Sequence, residues 1–332
     1  MLLDGANKRR DIGTRKGRGG MQERVRPIEP TLAPTPAAQP ILLGLIGSPI
    51  KSSAAPAMHE AAAAALGLRA HYRLIDVAGA DRDTLRSMLD GVRLLGFAGV
   101  NVTFPYKEAV LPLLDALSPS AAAIGTVNTV VVRDGKLIGH NTDATGFAAA
   151  FKRVLGTPGD APVALIGAGG VGRAIGFALC ELGAREIWLC DQDGGKARAL
   201  AARLKDRIVV RICADVAEAL QGAGGLVNAT PVGMLPSMDC PVPHELIHDG
   251  QWVADAVYTP LWTPLLRAAR ERGARVMTGR ELCVDQAVDA FRLFVGREAS
   301  RDGIAATFDA VIARRNEPGD VYAPATTHKT TS

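Results

Sequence analysis

From Ile41 onward the chain alternates short, wholly apolar runs with longer stretches in which apolar residues recur every three or four positions. The first rhythm predicts strands buried on both faces, and the second predicts helices packed on them. ILLGLIG (41–47) reads as a buried strand, and Pro56 opens an Ala-rich helix over 57–66. A strand near 70–76, a helix near 81–93 and a strand at 97–102 follow, and Pro105 starts a further helix reaching about Leu117. TVNTVVV and KLIGH then flank Asp134-Gly135, a pair that accepts the left-handed backbone of a two-residue hairpin turn.

After a helix at 144–154, Thr157-Pro158-Gly159 predicts a hinge. Beyond it, strands near 163–167, 186–190, 208–212, 225–229, 252–257 and 274–277 alternate with helical segments, the pattern of a doubly wound parallel sheet. Helical stretches at 282–295 and 302–315 close the chain. The expected fold class is α/β. An open-sheet domain covers 40–147 and is completed by helices within 280–316, and a second, parallel-sheet domain covers 148–279. Residues 1–39, basic and then Pro-rich, and the polar stretch 317–332 predict unstructured tails.

Composition removes several function classes. Hydrophobic residues make up 48% and charged residues 22% of the 332, which suits two globular domains. The net charge of +4 equals the surplus in residues 1–40, where eight Lys or Arg face four Asp or Glu, so the remainder is neutral. Basicity confined to a tail gives no reason to expect a nucleic-acid partner for the folded part. No apolar run approaches the ~18 residues of a membrane span. Cys180, Cys190, Cys213, Cys240 and Cys283 are dispersed and odd in number, as expected of reduced thiols in a cytoplasmic protein. Monomer and homodimer stay equally open.

The strongest chemical signal lies in VALIGAGGVGRAIGFAL. Gly167, Ala168, Gly169, Gly170, Val171 and Gly172 form a G-x-G-x-x-G turn between a predicted strand and helix. Glycine makes the tight turn, lets the backbone approach a pyrophosphate and lets helix pack on strand, with the phosphates at the helix's positive end. Asp191 follows at the end of the next strand, where a carboxylate accepts hydrogen bonds from ribose hydroxyls. Asp191 and Asp193 would repel a 2′-phosphate, and no Arg stands among Gln192, Asp193, Gly194 and Gly195 to clamp one. The expected cofactor is therefore NAD in preference to NADP, on a Rossmann-type domain over 148–279.

In NVTFPYK (101–107), Lys107 falls in the first turn of the helix expected after Pro105, where a cation opposes the helix dipole. A residue disfavoured by its local position suggests a function, although a solvated lysine would also satisfy the segment alone. Asp143 suits a helix N-cap equally well. With AIGTVNTVV (123–131), GHNTDATGF (139–147), LIGSPI (45–50), PAMHEAA (56–62), NATPVGM (228–234), the Asp255–Pro260 stretch and Gln286-Ala287, this segment resembles the shikimate/quinate dehydrogenase family over about residues 42–295.

That resemblance implies an active site between the two domains. Lys107 and Asp143 would be the catalytic pair, the lysine moving the hydroxyl proton while hydride passes to the nicotinamide. Ser53, Thr103, Asn128, Tyr258 and Gln286 would contact a small hydroxylated acid such as quinate or shikimate, and Thr230, Val232, Met234 and Gly279 would line the nicotinamide pocket. The implied reaction is reversible oxidation of the C3 hydroxyl with NAD. An NADP-using biosynthetic shikimate dehydrogenase, an enzyme for an aminated shikimate and a non-catalytic sensor of the same ligands are the alternatives.

Three positions depart from the family pattern. The family carries two hydroxyl residues, one residue apart, before the helix proline. Here Ser53 remains and Ala55 replaces the second, which leaves the helix start uncapped and its N–H groups open to a carboxylate. Ser52 stands where relatives have His or Gln, and Glu281 stands where glycine is usual. His244-Glu245-Leu246-Ile247-His248 matches a zinc-protease pattern by letter. Pro241, Pro243 and Gly250 leave room for only a turn or two of helix, however, so no metal is expected.

Overall fold

The computed structural model describes residues 39–315. The expected tails at 1–39 and 317–332 lie outside the described residues, Gln39 apart.

The first half builds a six-stranded mixed sheet. Its elements are β1 (Ile41–Gly47), α1 (Ala55–Ala65), β2 (Ala70–Asp76), α2 (Arg82–Leu94), β3 (Phe97–Val102), β4 (Ala116–Leu117), α3 (Pro119–Ile124), β5 (Thr129–Arg133) and β6 (Lys136–His140). The spatial order is β2-β1-β3-β5-β6-β4, with β1, β2 and β3 parallel and β5 antiparallel to both β3 and β6. The β5–β6 turn is the expected hairpin, with Asp134 at φ 51° and Gly135 at φ 72°.

No α-helix follows Pro105. Residues 105–110 form turns, with a 3-10 turn at Leu111–Leu113. The reason is tertiary. The Lys107 carbonyl accepts the Val127 N–H at 2.9 Å, while Tyr106, Val110 and Leu113 sink into the core beneath the sheet. The Lys107 carbonyl, which a helix would use for Leu111 N–H, is thus given to distant Val127, and the remaining backbone bonds close isolated turns. Without that helix, Lys107 faces no opposing dipole.

A long helix, α4 (Thr142–Val154), leads to the second sheet. This sheet contains β7 (Val163–Ile166), α5 (Gly170–Glu181), β8 (Glu186–Cys190), α6 (Gly194–Leu204), β9 (Val209–Ile212), α7 (Val216–Leu220), β10 (Gly225–Asn228), β11 (Trp252–Asp255), α8 (Pro264–Glu271) and β12 (Arg275–Met277). All its strands are parallel in the order β12-β11-β10-β7-β8-β9, so strand order reverses between β7 and β10. In such sheets a crevice opens at the carboxyl ends of the strands at that switch point.

The chain then returns. Helix α9 (Gly279–Val295) crosses α4, and α10 (Arg301–Arg315) lies on α1. Val284, Ala287, Phe291, Ile304 and Phe308 form one core with Met58, Ala62 and Ala63 of α1. Where α9 passes α4, a Cβ on Gly146 would be 2.5 Å from the Gln286 backbone nitrogen, so the small residue permits the close crossing.

Candidate active site

At the switch point, Gly167 ends β7 at φ 104°, a backbone open to glycine. A Cβ on Gly172 would overlap the Gly167 carbonyl, which explains the third glycine by direct contact between helix and turn. Gly169 is the N-cap of α5 with no side-chain cap, and a Cβ there would meet nothing within 4 Å. Open space in front of uncapped helix N–H groups fits the pyrophosphate of a dinucleotide.

The Asp191 carboxylate accepts Ala168 N–H at 2.6 Å and Asp193 N–H at 2.7 Å, so it braces the glycine turn from the neighbouring strand. Each oxygen keeps a second lone pair for a ribose hydroxyl. Asp193 caps α6 by accepting from Gly195 and Lys196. A cation lies just beyond residues 192–195. Arg198, a turn into α6, folds back so that its Nη1 would lie 3.2 Å from a Cβ on Gly194.

Across the crevice, Lys107 Nζ donates to Asp143 Oδ2 at 2.6 Å, and both side chains are nearly buried. Asp143 is not the cap of α4. Asn141 is, accepting Ala144 N–H, and Asp143 sits inside the first turn, where the helix dipole favours an anion. Its second oxygen accepts Asn128 Nδ2 at 2.9 Å. Asn128 also donates to Thr142 Oγ1, and its Oδ1 accepts Thr142 N–H at 2.7 Å and Thr129 Oγ1 at 3.0 Å. Its bonding capacity is filled within the protein, so a substrate hydroxyl reaches it only by replacing one of these partners.

The Lys107 stem lies on the dinucleotide turn, with its Cδ 3.3 Å from where a Gly170 Cβ would be. The next residue, Glu108, pairs with Arg173 of α5 at 3.0 Å. Sequence reasoning missed both Glu108 and Arg173, because nothing local marks two residues 65 positions apart as partners.

The remaining expected residues divide between the two sheets. Thr103 follows β3, bonded to Ile46 through its backbone N–H, and its methyl carbon crowds Gly47. Ser53 Oγ accepts Ala55 N–H at 3.2 Å. The cap position of α1 is Ala54, and one of the N–H groups expected to be free is thus taken by Ser53. Gln286 donates to the Cys283 carbonyl, and Tyr258 stacks edge-on against Phe308. Burial, then the charge of nearby Asp143, pushes the Cys283 thiol up to about 12, which keeps it protonated. Burial likewise raises the Tyr258 phenol.

On the cofactor side, Thr230 and Val232 are shaped by two residues whose role the sequence did not disclose. Asn228 Oδ1 accepts from Thr230 N and Oγ1, and its Nδ2 donates to the Val232 carbonyl and to Asp255. Burial pushes Asp255 up to about 6 against the pull of bonds from Thr263, Val257 and Asn228. Met234 is exposed beyond this loop. Gly279 opens α9 with the Val257 carbonyl where a Cβ would go, so only glycine fits. Two residues on, Glu281 accepts from Arg153, Arg280 and Arg301. Burial draws its carboxyl up, but these bonds outweigh it and leave the group below its ordinary value.

The His244–Leu246 segment is a single 3-10 turn, so His244 and His248 do not share a helical face. Among the described residues, no three His, Cys, Asp or Glu side chains converge as metal ligands. No helix there is long and apolar enough to cross a membrane.

A Rossmann sheet whose glycine turn meets a lysine–carboxylate pair defines a two-domain NAD(P)-dependent dehydrogenase. The profile of the shikimate dehydrogenase substrate binding domain matches residues 45–130, and that of the coenzyme F420-dependent NADP oxidoreductases matches residues 162–253. A shikimate dehydrogenase (NADP(+)) of Streptomyces avermitilis is 46% identical over 264 residues, 77% of this chain and 91% of that protein. A quinate/shikimate dehydrogenase (NAD(+)) of Corynebacterium efficiens is 45% identical over 283 residues, 81% of this chain and 97% of that protein. The quinate dehydrogenase of Corynebacterium glutamicum, solved with NAD, superimposes with a TM-score of 0.76 at 40% identity, covering 82% of this chain and 99% of that one. The chain belongs to the shikimate/quinate dehydrogenase family.

Proposed function

We propose that the chain reversibly oxidises the C3 hydroxyl of quinate or shikimate to the 3-dehydro acid with NAD. The acid is held by residues 40–147 with helices 280–316, and the dinucleotide by residues 148–279. The observation that carries this reading is the 2.6 Å Lys107–Asp143 pair beside the glycine turn.

Lys107 takes the hydroxyl proton as the C3–H bond breaks, and returns it in the reverse direction. A dinucleotide held by Gly167 to Gly172 and Asp191 would supply the hydride acceptor for that carbon. Asp143 orients the amine, and Asn128 orients Asp143. Ser53, Thr103, Tyr258 and Gln286 hold the acid so that its C3 hydroxyl meets Lys107. Gly167 to Gly172 receive the pyrophosphate and Asp191 the ribose, while Thr230, Val232, Met234 and Gly279 border the nicotinamide.

NAD is preferred because Asp191 and Asp193 set two carboxylates where a 2′-phosphate would approach. Relatives of both coenzyme types are similarly near, and Arg198 supplies one opposing cation, so NADP is expected to serve more weakly. Turnover with each acid and each coenzyme tests the reading. Lys107→Ala should abolish kcat with NAD binding intact, and wild-type rates in that variant would sink the mechanism.

A further inference from the structure

We propose that Tyr72, on the far strand of the first sheet, is a positioning residue for the Lys107–Asp143 pair, acting through a buried chain of hydrogen bonds. The inference rests on the catalytic reading of that pair. The Tyr72 hydroxyl donates to Asn101 Oδ1 at 2.8 Å. Asn101 Nδ2 donates to Thr129 Oγ1 at 3.0 Å and to the Asn128 carbonyl at 3.2 Å. Thr129 passes its own proton to Asn128 Oδ1 at 3.0 Å, and Asn128 Nδ2 donates to Asp143 Oδ1.

The chain has one direction. An amide presents one oxygen and one NH2 group, and turning it over exchanges acceptor for donor. If Asn128 turned, its oxygen would face the Asp143 carboxylate, two acceptors in contact within a buried site. It is held by Thr142 N–H and by Thr129, whose Oγ1 receives Asn101 Nδ2 and lies 3.0 Å from Asn128 Oδ1, nearer than the 3.3 Å to Thr142 Oγ1. Asn101 is in turn held by the Tyr72 hydroxyl. The hydrogen bond of the Tyr72 hydroxyl to Asn101 Oδ1 makes it the donor at this end, and that sets the sense of the bonds that follow.

Tyr72 is itself locked. It is buried, its ring stacks on His59 at 5.0 Å, and burial, then the nearby Cys283 thiol, raises its phenol. Glu60 also holds the strand, accepting the Tyr72 backbone N–H at 2.8 Å. The ring can therefore neither rotate away nor move along the sheet.

Tyr72→Phe removes the donor and leaves the shape. In wild type, turnover of quinate or shikimate first tests the catalytic reading by itself. In Tyr72→Phe, kcat should fall about tenfold with KM for NAD unchanged, since a misaligned catalytic group acts on the chemical step. The kcat–pH profile should change as well, because proton transfer depends on the geometry of the Lys107–Asp143 pair. Thr129→Val cuts the same chain one step nearer the site and should reproduce both effects, and Thr129→Ser should restore the profile. An active wild type with Tyr72→Phe and Thr129→Val both retaining kcat and pH profile would overturn the inference. So would changes in thermal stability alone.

Discussion

Lys107 lies across Gly170, with the lysine Cδ 3.3 Å from the position a glycine Cβ would take. The proposed proton carrier of one sheet thus rests on the dinucleotide turn of the other. Gly170→Ala should fold normally, because a flexible stem can give by a few tenths of an ångström, and should lower kcat severalfold. Gly170→Val should lower it by about 100-fold, since displacement of order 1 Å at a reacting group costs that much. Steady-state kinetics beside a melting curve checks both.

Glu108 and Arg173 join the same two elements. An exposed pair contributes on the order of 0.2–1 kcal/mol. Glu108 is half exposed, but Arg173 is buried and its Nε lacks a partner, so losing Glu108 strands a charge. Glu108→Gln should raise KM for the acid severalfold, as should high salt in the wild type. A double-mutant cycle with Arg173→Met should show the two changes to be non-additive.

Ala55→Ser should lower KM for quinate or shikimate with little change in kcat, if the second hydroxyl of the family grips the carboxylate. Ser53 stays committed to Ala55 N–H through the backbone, so the added hydroxyl is free for substrate. An unchanged KM for both acids would rule out the lost-grip explanation.

Burial among Tyr72, Phe291 and Phe294 pushes the His59 imidazole from 6.5 down to about 4. Below pH 6.5 the unfolded chain binds the proton more tightly than the folded one. Stability present above that pH is therefore lost as pH falls towards 4, by roughly 3 kcal/mol in all. Asp255, raised to about 6, works in the opposite sense, since its folded carboxyl binds a proton that the unfolded chain releases between pH 6 and 4. The His59 effect is read from urea unfolding of wild type against His59→Phe, whose acid limb should be flatter between pH 4 and 6.5.

The helix-and-strand rhythm and the turn chemistry were legible because their causes are local. Apolar runs placed the strands, Asp134-Gly135 placed the hairpin, and the spacing of Gly167, Gly169 and Gly172 placed the tight turn before α5. The misread helix after Pro105 shows where locality ends. Those residues have helix-like spacing, yet Lys107 gives its carbonyl to Val127, twenty positions on. The cap at Asn141 in place of Asp143 is a smaller case, since either residue type can cap and packing chose between them.

By itself the sequence determined the α/β alternation, a glycine turn between strand and helix, and the motifs that place the chain in its family. Only the tertiary structure decided how those residues are used. It set Lys107 against Gly170, tied Glu108 to Arg173, filled the bonds of Asn128 and brought Arg198 back over Gly194. Hydrogen bonds and close approaches between residues far apart in the chain depend on how the sheets are assembled, and residue spacing carries no record of that.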